Sequence, residues 1–304
     1  MTEVRAAPDP PVPARWTVLS LIEWASAYLA ARAFDETRLH VELMLGHVLS
    51  LKRIQLYLQF DRPLTPAELA AFKALFKRRL DHEPLQYILG ETDFMGVTLG
   101  VAPGVLIPRP ETELLVETAL KHVTSTGKET MHVLDVGTGS GCIAIGLAHQ
   151  FPALTVLGID ASEDALAIAR KNHAGYPELK VTFERHDIRA AAWPPGSFDL
   201  VLSNPPYIAP AEYETLEPEV RDHEPRAALT DEQDGLAFYR LLVALAPRIL
   251  REGGLLMCEI GHGQSDAVAS LAHAHGLTVR EIIPDLAGVP RVMVCAPTTH
   301  AMEG

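Results

Sequence analysis

The sequence predicts an open α/β sheet whose strands are mainly parallel and carry helices on both faces. A small N-terminal helical bundle and a β-hairpin-like linker precede it. Three observations predict this fold. Apolar residues recur at three- and four-residue spacing through the first 82 residues, which is the period of amphipathic helices. From residue 132 onward, short apolar strands alternate with helices. Glycines and prolines separate the two patterns.

The N-terminal region predicts a helical bundle. Its apolar spacing indicates helices over residues 16–32, 37–50 and 66–82. Thr65, followed three residues later by Glu68, is typical of a capping box, in which each side chain bonds to the other residue's backbone N–H. Four basic residues on one side of the last helix are expected to be solvated or, alternatively, to form a docking surface: Lys73, Lys77, Arg78 and Arg79.

Turn-forming glycines and prolines mark a short β-rich segment over residues 94–106. The patterns together divide the chain into four parts. We expect a disordered, Pro/Ala-rich lead-in at 1–15, a helical domain at 16–90, a β-rich linker at 91–110 and an α/β domain at 111–304. A chain of 304 residues with 48% hydrophobic content is long enough for two domains and a sizeable core.

The α/β domain is predicted from a regular series of strands and helices. The strands are expected over residues 132–136, 155–160, 180–186, 198–203 and 255–260, and the helices over 142–150, 162–173 and 236–251. Sheets of this kind bind ligands at the carboxyl ends of their strands, near the point where the strand order reverses. Residues that follow the strands are therefore the candidate functional residues.

The charge distribution disfavours a protein that grips nucleic acid. The formal net charge is −13, and it is unevenly divided. The first 90 residues carry 11 Lys and Arg against 10 Asp and Glu, whereas the remainder carries 15 against 29. Because an acidic surface repels phosphate backbones, no stable nucleic-acid binding is expected, and a protein or small molecule is the expected substrate.

Sequence features also predict the cellular compartment in which the protein acts. No N-terminal stretch has the basic-then-apolar order of a signal peptide, and no uninterrupted apolar run indicates a membrane segment. Cys142, Cys258 and Cys295 are far apart and lie in apolar runs, which favours buried, reduced thiols. The histidines lack the spacing and carboxylate partners of a metal site. A cytoplasmic protein without a bound metal is therefore expected.

Candidate ligand residues follow each of the first three strands. Asp160 ends the second strand and precedes Ala161, and Asp187 ends the third and precedes Ile188. Asp160 can accept both hydroxyls of a ribose, and Asp187 can accept from an exocyclic amine. A glycine loop alone fits a structural turn as well as a nucleotide site, but with two spaced acids it favours an adenosine-containing ligand. The loop residues are Asp135, Gly137, Thr138, Gly139, Ser140 and Gly141.

The spacing of the glycine loop narrows the class of adenosine ligand. The loop lacks the Gly-Lys-Ser/Thr ending that holds nucleotide phosphates, and its third glycine comes one residue too early for a dinucleotide fingerprint. Asp135, two residues before the first glycine, suits a cationic group better than a pyrophosphate. A sulfonium or an amino-acid ammonium is the expected cation.

A proline-rich tetrapeptide, Asn204 to Tyr207, directly follows the strand predicted at 198–203. Pro205 and Pro206 remove two backbone donors and fix φ, so the segment is a stiff, extended loop with unused hydrogen-bonding capacity. Such a loop can hold a planar amide or amine. By itself Asn-Pro is an ordinary turn signal, but the position after a strand of this sheet favours a binding role.

These motifs resemble those of S-adenosylmethionine-dependent methyltransferases with a Rossmann-like sheet, and the tetrapeptide resembles the subset that methylates planar nitrogen. From about Leu39 to Val294 the chain is similar to the peptide chain release factor glutamine methyltransferase family. The further motifs that carry this resemblance are Glu83 to Gly90, Leu106 to Glu113, Ser203 to Ile208, Glu224 to Leu229, Asp234 to Leu236 and Asp285 to Gly288.

The resemblance implies the cofactor and the substrate. The methyl donor would be S-adenosyl-L-methionine, with S-adenosyl-L-homocysteine as the product. The acceptor would be the side-chain amide nitrogen of the glutamine in the Gly-Gly-Gln motif of class I peptide chain release factors, which act in translation termination. The helical domain at 16–90 would dock the substrate. Two alternatives stay open: a ribosomal-protein glutamine methyltransferase and a nucleic-acid adenine N6-methyltransferase.

The resemblance also suggests roles for individual residues. The Asn204 side-chain oxygen and the Pro205 carbonyl would accept the two amide hydrogens of the glutamine, and Tyr207 would pack against the amide plane; with Pro206 they form the substrate site. Arg109 is either a structural residue at the start of a helix or a substrate contact. Ile188 stands where the family commonly has an aromatic residue, which weakens the expected stacking on adenine.

Overall fold

The computed structural model describes residues 9–189 and 193–298. The chain divides into two compact units between Leu89 and Gly90. Residues 1–8 of the lead-in predicted at 1–15 lie outside the described residues. In the described part of that segment, the carbonyl of Pro10 accepts a hydrogen bond from the Trp24 indole at 3.1 Å.

The first unit is helical, as the sequence predicts. The three predicted helices are present with ends that differ by at most two residues, and two short helices occur beside them. An apolar core that includes Ile22, Leu45 and Phe76 holds the unit together. The helices are α1 (Val18–Ala30), α2 (Thr37–Leu49), α3 (Arg53–Tyr57), α4 (Pro66–Leu80) and α5 (Leu85–Leu89).

Two local predictions for α4 have different outcomes. The capping box is confirmed, because Thr65 Oγ1 accepts from the Glu68 N–H at 3.3 Å and the Thr65 N–H donates to Glu68 Oε2 at 2.8 Å. The expectation of a solvated basic cluster is wrong for Arg79, whose exposed fraction is 3%. Arg79 donates to the Glu83 carbonyl at 3.1 Å, and Arg78 forms an ion pair with the Glu83 carboxylate. Because these contacts satisfy the guanidinium groups, part of the cluster serves the fold.

A β-hairpin opens the second unit. It consists of β1 (Glu91–Phe94) and β2 (Val97–Gly100), which pair antiparallel. The β-rich segment expected at 94–106 therefore begins three residues earlier. The side chains of Phe94, Val97 and Leu99 are buried in the core of the second unit.

The main element of the second unit is a seven-stranded mixed sheet with strand order β5-β4-β3-β6-β7-β9-β8. The first five strands in this order are parallel, and β9 and β8 add antiparallel pairs at one edge. The Rossmann-like prediction is confirmed. The strands are β3 (His132–Val136), β4 (Thr155–Asp160), β5 (Val181–Arg185), β6 (Phe198–Ser203), β7 (Leu250–Glu259), β8 (Leu277–Pro284) and β9 (Pro290–Pro297).

Helices cover both faces of this sheet because successive strand residues point to opposite sides. Val133 of β3 packs with α6 (Pro110–Thr126), α7 (Cys142–Gln150) and α8 (Glu163–His173), whereas Leu134 packs on the other face. That second face is covered by α12 (Ala237–Ile249) and α13 (Ser265–Ala274). Between β6 and α12 lie three short helices, α9 (Pro210–Tyr213), α10 (Pro218–Arg221) and α11 (Arg226–Leu229).

The observed elements differ from the sequence pattern mainly after residue 249. The predicted helix at 236–251 ends at Ile249, and β7 starts at Leu250, five residues before the expected strand. The strands β8 and β9 were not predicted from the sequence pattern. In the structure they extend the sheet beyond β7. Among residues 9–189 and 193–298, no helix is both long and apolar enough to cross a membrane.

Candidate active site

The candidate site lies at the carboxyl edge of the sheet, beside β3 and β6. The chain continues from β3 to β4 on one side, while β6 pairs with β3 on the other side, so the strand order reverses here. A cavity of about 320 Å³ opens at this edge, which is large enough for a small ligand. This is the first cavity. The predicted residues on its wall are Gly137, Gly139, Asp160, Ala161, Asp187, Ile188, Asn204, Pro205 and Pro206.

The glycine loop after β3 exposes its backbone to the first cavity. Gly137 and Gly139 have φ angles of +73° and +55°, in the left-handed region that side chains disfavour. The N–H groups of Gly137 and Thr138 both donate to the Ile159 carbonyl at 2.9 Å, which fastens the loop to β4. A Cβ added at Gly137 would meet no described atom within 4 Å. The loop can therefore bring its backbone close to a ligand.

Four of the predicted loop residues lie behind this wall rather than on it. Asp135, Thr138 and Ser140 are buried, and Gly141 is the N-cap residue of α7. Asp135 Oδ2 accepts a hydrogen bond from Thr138 Oγ1 at 2.6 Å, whereas Asp135 Oδ1 and Ser140 Oγ have no hydrogen-bond partner among the described residues. The buried Asp135 carboxyl thus holds the glycine loop in place through its hydrogen bond from Thr138.

The Asp135 carboxyl has an unusual environment for an acid. Burial raises its pKa to about 7. The hydrogen bond from Thr138 opposes the rise, and the negative charge of Asp160 adds to it. A cation bound near the loop would favour the ionised form.

Asp160 joins the glycine loop to the start of α8. Its Oδ2 accepts from the Gly139 N–H at 3.0 Å, and its Oδ1 accepts from the Ser162 N–H at 2.9 Å. Each carboxylate oxygen can accept a second hydrogen bond, so Asp160 keeps capacity for ligand hydroxyls while its position is fixed.

Asp187 has a competing partner in the structure. The Arg189 guanidinium donates to Oδ1 at 2.9 Å and to Oδ2 at 2.7 Å, and its hydrogen bonds lower the pKa of Asp187. Both residues line the first cavity, as does Ile188, which also packs against the core beneath α12. Sequence reasoning did not identify Arg189, because nothing in the local pattern separates it from a solvated arginine.

The tetrapeptide lies where the first cavity meets a second one. This second cavity measures about 330 Å³ and is lined in part by Arg109, Tyr207 and Glu259. Asn204 and Pro205 line both cavities. A group bound in either cavity would therefore lie beside these two residues.

A buried hydrogen-bond chain lies behind the tetrapeptide. The Asn204 Nδ2 group donates to Thr112 Oγ1 at 3.0 Å, and that hydroxyl donates to Glu259 Oε2 at 2.7 Å. Tyr207 OH donates to the other oxygen, Glu259 Oε1, at 3.2 Å. Burial raises the pKa of Glu259, while the hydrogen bonds from Thr112 and Tyr207 oppose the rise. Sequence reasoning missed both Thr112 and Glu259.

Three contacts fix the position of Tyr207. Its hydroxyl bonds to Glu259, and its backbone carbonyl accepts from Gln264 Nε2 at 2.9 Å. A Cβ at Gly235 would lie 2.4 Å from that carbonyl, so the close packing here requires glycine. Burial and the charge of Glu259 raise the pKa of Tyr207, so its hydroxyl stays protonated.

Arg109 has a structural partner as well as a place at the second cavity. It forms an ion pair with the buried carboxylate of Glu224, which also accepts from the Ile107 N–H at 3.1 Å. Arg226 instead pairs with Glu232 at 2.5 Å and lies 4.2 Å above the Tyr213 ring. The loop of short helices is thereby braced against the start of α6.

The fold and the site define a Rossmann-like S-adenosyl-L-methionine-dependent methyltransferase. The first cavity fits that cofactor, since it combines an exposed loop backbone, an acid at the end of β4 and a buried acid under the loop. Residues 20–90 match the family model "PrmC N-terminal domain", and residues 133–223 match the model "Methyltransferase domain".

Comparison with known proteins gives the particular family. The chain is 43% identical over 289 residues to a release factor glutamine methyltransferase of Geobacter sulfurreducens, covering 92% of this chain and 97% of the relative. A protein of the same name from Chlorobaculum tepidum is 43% identical and covers 88% of this chain and 92% of its own length. The chain belongs to the release factor glutamine methyltransferase family.

A solved structure is also similar. The release factor-specific protein-(glutamine-N5) methyltransferase of Alicyclobacillus acidocaldarius is 31% identical and covers 66% of this chain and all of its own, with a TM-score of 0.39.

Proposed function

We propose that this protein transfers the methyl group of S-adenosyl-L-methionine to the side-chain amide nitrogen of the glutamine in the Gly-Gly-Gln motif of class I release factors. The observation that supports this chemistry best is that Asn204 and Pro205 line both cavities. Family membership supports the choice of substrate. The ribosomal-protein and nucleic-acid alternatives have no such support.

The first cavity holds the cofactor. Asp160 accepts from the ribose hydroxyls with the lone pairs that Gly139 and Ser162 leave free. Asp187 and Ile188 face the adenine, and Ala161 completes the wall. The ionised Asp135 favours a cation near the glycine loop through its charge, without reaching the cavity wall. When bound, S-adenosyl-L-methionine supplies an electrophilic methyl group and leaves as S-adenosyl-L-homocysteine.

The second cavity receives the glutamine side chain. An amide nitrogen is a poor nucleophile because its lone pair is delocalised into the carbonyl. Asn204 Oδ1 and the Pro205 carbonyl accept the two amide hydrogens, which localises electron density on nitrogen and directs it toward the first cavity. Pro206 keeps the segment extended, and Tyr207 packs against the amide plane. The surplus proton leaves to water after the new N–C bond forms.

Family membership also supports a protein substrate. We assign substrate docking to the helical unit and expect no stable binding to nucleic acid or membrane. Since release factors act during translation, we place the reaction in the cytoplasm. We assign Arg109, which pairs with Glu224 and lines the second cavity, to substrate contact.

One assay tests this function. The protein is incubated with methyl-labelled cofactor and, separately, with a class I release factor, its Gly-Gly-Ala variant, ribosomal protein, rRNA and DNA. Label on the intact release factor alone is the expected result. Label on nucleic acid, on ribosomal protein or on the Gly-Gly-Ala variant would reject the proposed substrate.

A further inference from the structure

Glu259 is a buried acid at the end of β7. Its exposed fraction is 1%, and it stands beside the tetrapeptide rather than on the wall of the first cavity. Its carboxylate accepts from Thr112 at 2.7 Å and from Tyr207 at 3.2 Å. Burying a charged group is costly unless hydrogen bonds compensate, and these two bonds supply part of that compensation.

The direction of the hydrogen bonds follows from the chemistry of the groups. In this arrangement the Thr112 hydroxyl donates to Glu259 Oε2, and the carboxylate is the acceptor. The same hydroxyl can then only accept from Asn204, which requires the Nδ2 group of that amide to face Thr112. Oδ1 of Asn204 is left on the other side of the amide, free to accept from a ligand.

We propose that Glu259 and Thr112 form a hydrogen-bond relay that fixes the orientation of the Asn204 amide, so that its oxygen meets the glutamine N–H. Both are positioning residues that act through Asn204. This inference rests on the proposed function, in which Asn204 Oδ1 accepts an amide hydrogen.

Rotation of the Asn204 side-chain amide would remove the acceptor for the glutamine N–H, which is why its orientation must be fixed. Rotation by half a turn would place Oδ1 against the Thr112 oxygen, whose hydrogen is already committed to Glu259. It would also present an N–H group to the N–H of the glutamine. Two donors facing each other cannot bond, so the glutamine nitrogen would lose an acceptor and its alignment.

Thr112→Val tests the relay because valine keeps the shape of threonine and removes the hydroxyl. Thr112→Ser is the matched control, since serine restores the hydroxyl. We expect Thr112→Val to lower kcat roughly tenfold to a hundredfold and Thr112→Ser to stay within about threefold of wild type. Thr112 does not line the first cavity, so the cofactor Kd, measured by calorimetry, should not change.

A double-mutant cycle separates positioning from a general structural role. Single-turnover transfer onto the release factor is measured for wild type, Thr112→Val, Asn204→Ala and the double variant, with enzyme in excess. If the relay acts through Asn204, Thr112→Val has no further effect in the Asn204→Ala background. The same fold-loss in both backgrounds, or wild-type kcat for Thr112→Val, would overturn the relay. Absence of transfer by the wild-type protein would instead reject the proposed function itself.

Discussion

Asp135 and Asp199 lie on neighbouring strands of the same sheet, and both are buried, with exposed fractions of 0% and 3%. Asp199 lies near the start of β6 and accepts from Lys128 and Arg251, each at 2.7 Å, and from the His132 N–H at 2.9 Å. Asp135 lies near the end of β3, accepts from one hydroxyl, and has another acid as its charged neighbour.

Burial pushes the pKa of both acids upward, but the net shifts have opposite signs. Burial alone would raise the pKa of Asp199, but the hydrogen bonds from His132 and Lys128 and the charge of Arg251 outweigh it and hold the pKa below its ordinary value. The pKa of Asp135 is instead raised to about 7. Asp199, at the amino edge of the sheet, therefore carries a compensated charge that stabilises the fold, whereas Asp135, at the carboxyl edge beside the ligand site, has an acid rather than a cation as its charged neighbour.

The largest expected effect comes from the carboxyl edge. Asn204→Ala should lower kcat for release-factor methylation by about 10²–10³, because it removes an acceptor aimed at the reacting amide. Folding and cofactor affinity should be retained. Steady-state transfer of labelled methyl and calorimetry of cofactor binding measure the two quantities. An unchanged kcat in a folded variant would contradict the role of Asn204.

At the amino edge, Asp199→Asn should act on stability alone. It removes the carboxylate from two cations, and since Lys128 and Arg251 are themselves partly exposed, the expected loss is about 2 kcal/mol in the free energy of unfolding. Urea denaturation measures this loss, with the cofactor Kd as the control. If Asp199→Asn instead weakened cofactor binding without a loss of stability, Asp199 would belong to the ligand site and not to the stabilising contacts of the fold.

Asp135→Asn is the matched substitution at the carboxyl edge. It keeps an oxygen that can accept from Thr138 and removes the negative charge. We expect the cofactor Kd to rise about tenfold, which is roughly 1.4 kcal/mol, with no loss of stability in the free protein. An unchanged Kd would show that Asp135 only supports the loop.

The pH dependence of wild-type protein is a smaller and graded effect. Because cation binding favours ionised Asp135, the cofactor Kd should rise as pH falls below about 7, by no more than about tenfold in total. Since the folded-state pKa is raised above the unfolded value, the contribution of this group to the stability of the free protein falls as pH rises from about 4 through about 7. Asp135→Asn should abolish both trends, and calorimetry and denaturation at several pH values check them.

Local sequence pattern predicted most of the sheet but not the network behind the tetrapeptide. The bounds predicted at 132–136, 155–160 and 198–203 match β3, β4 and β6, because buried parallel strands are continuous apolar runs between turn signals. Thr112 is 92 residues from Asn204 and 147 from Glu259, and no local period links residues that only the folded sheet brings together. Arg79 was misjudged for a related reason, since its guanidinium lies 4.8 Å from the Phe34 ring, which is 45 residues away in the chain.

Tandem mass spectrometry of the release factor after incubation with the protein and S-adenosyl-L-methionine tests the central claim most directly. We predict a single added methyl group on the side-chain nitrogen of the Gly-Gly-Gln glutamine, and none when the Asn204→Ala variant is used for the same time. A methyl group on any other residue, or none with the wild-type protein, would contradict the assignment of the two cavities.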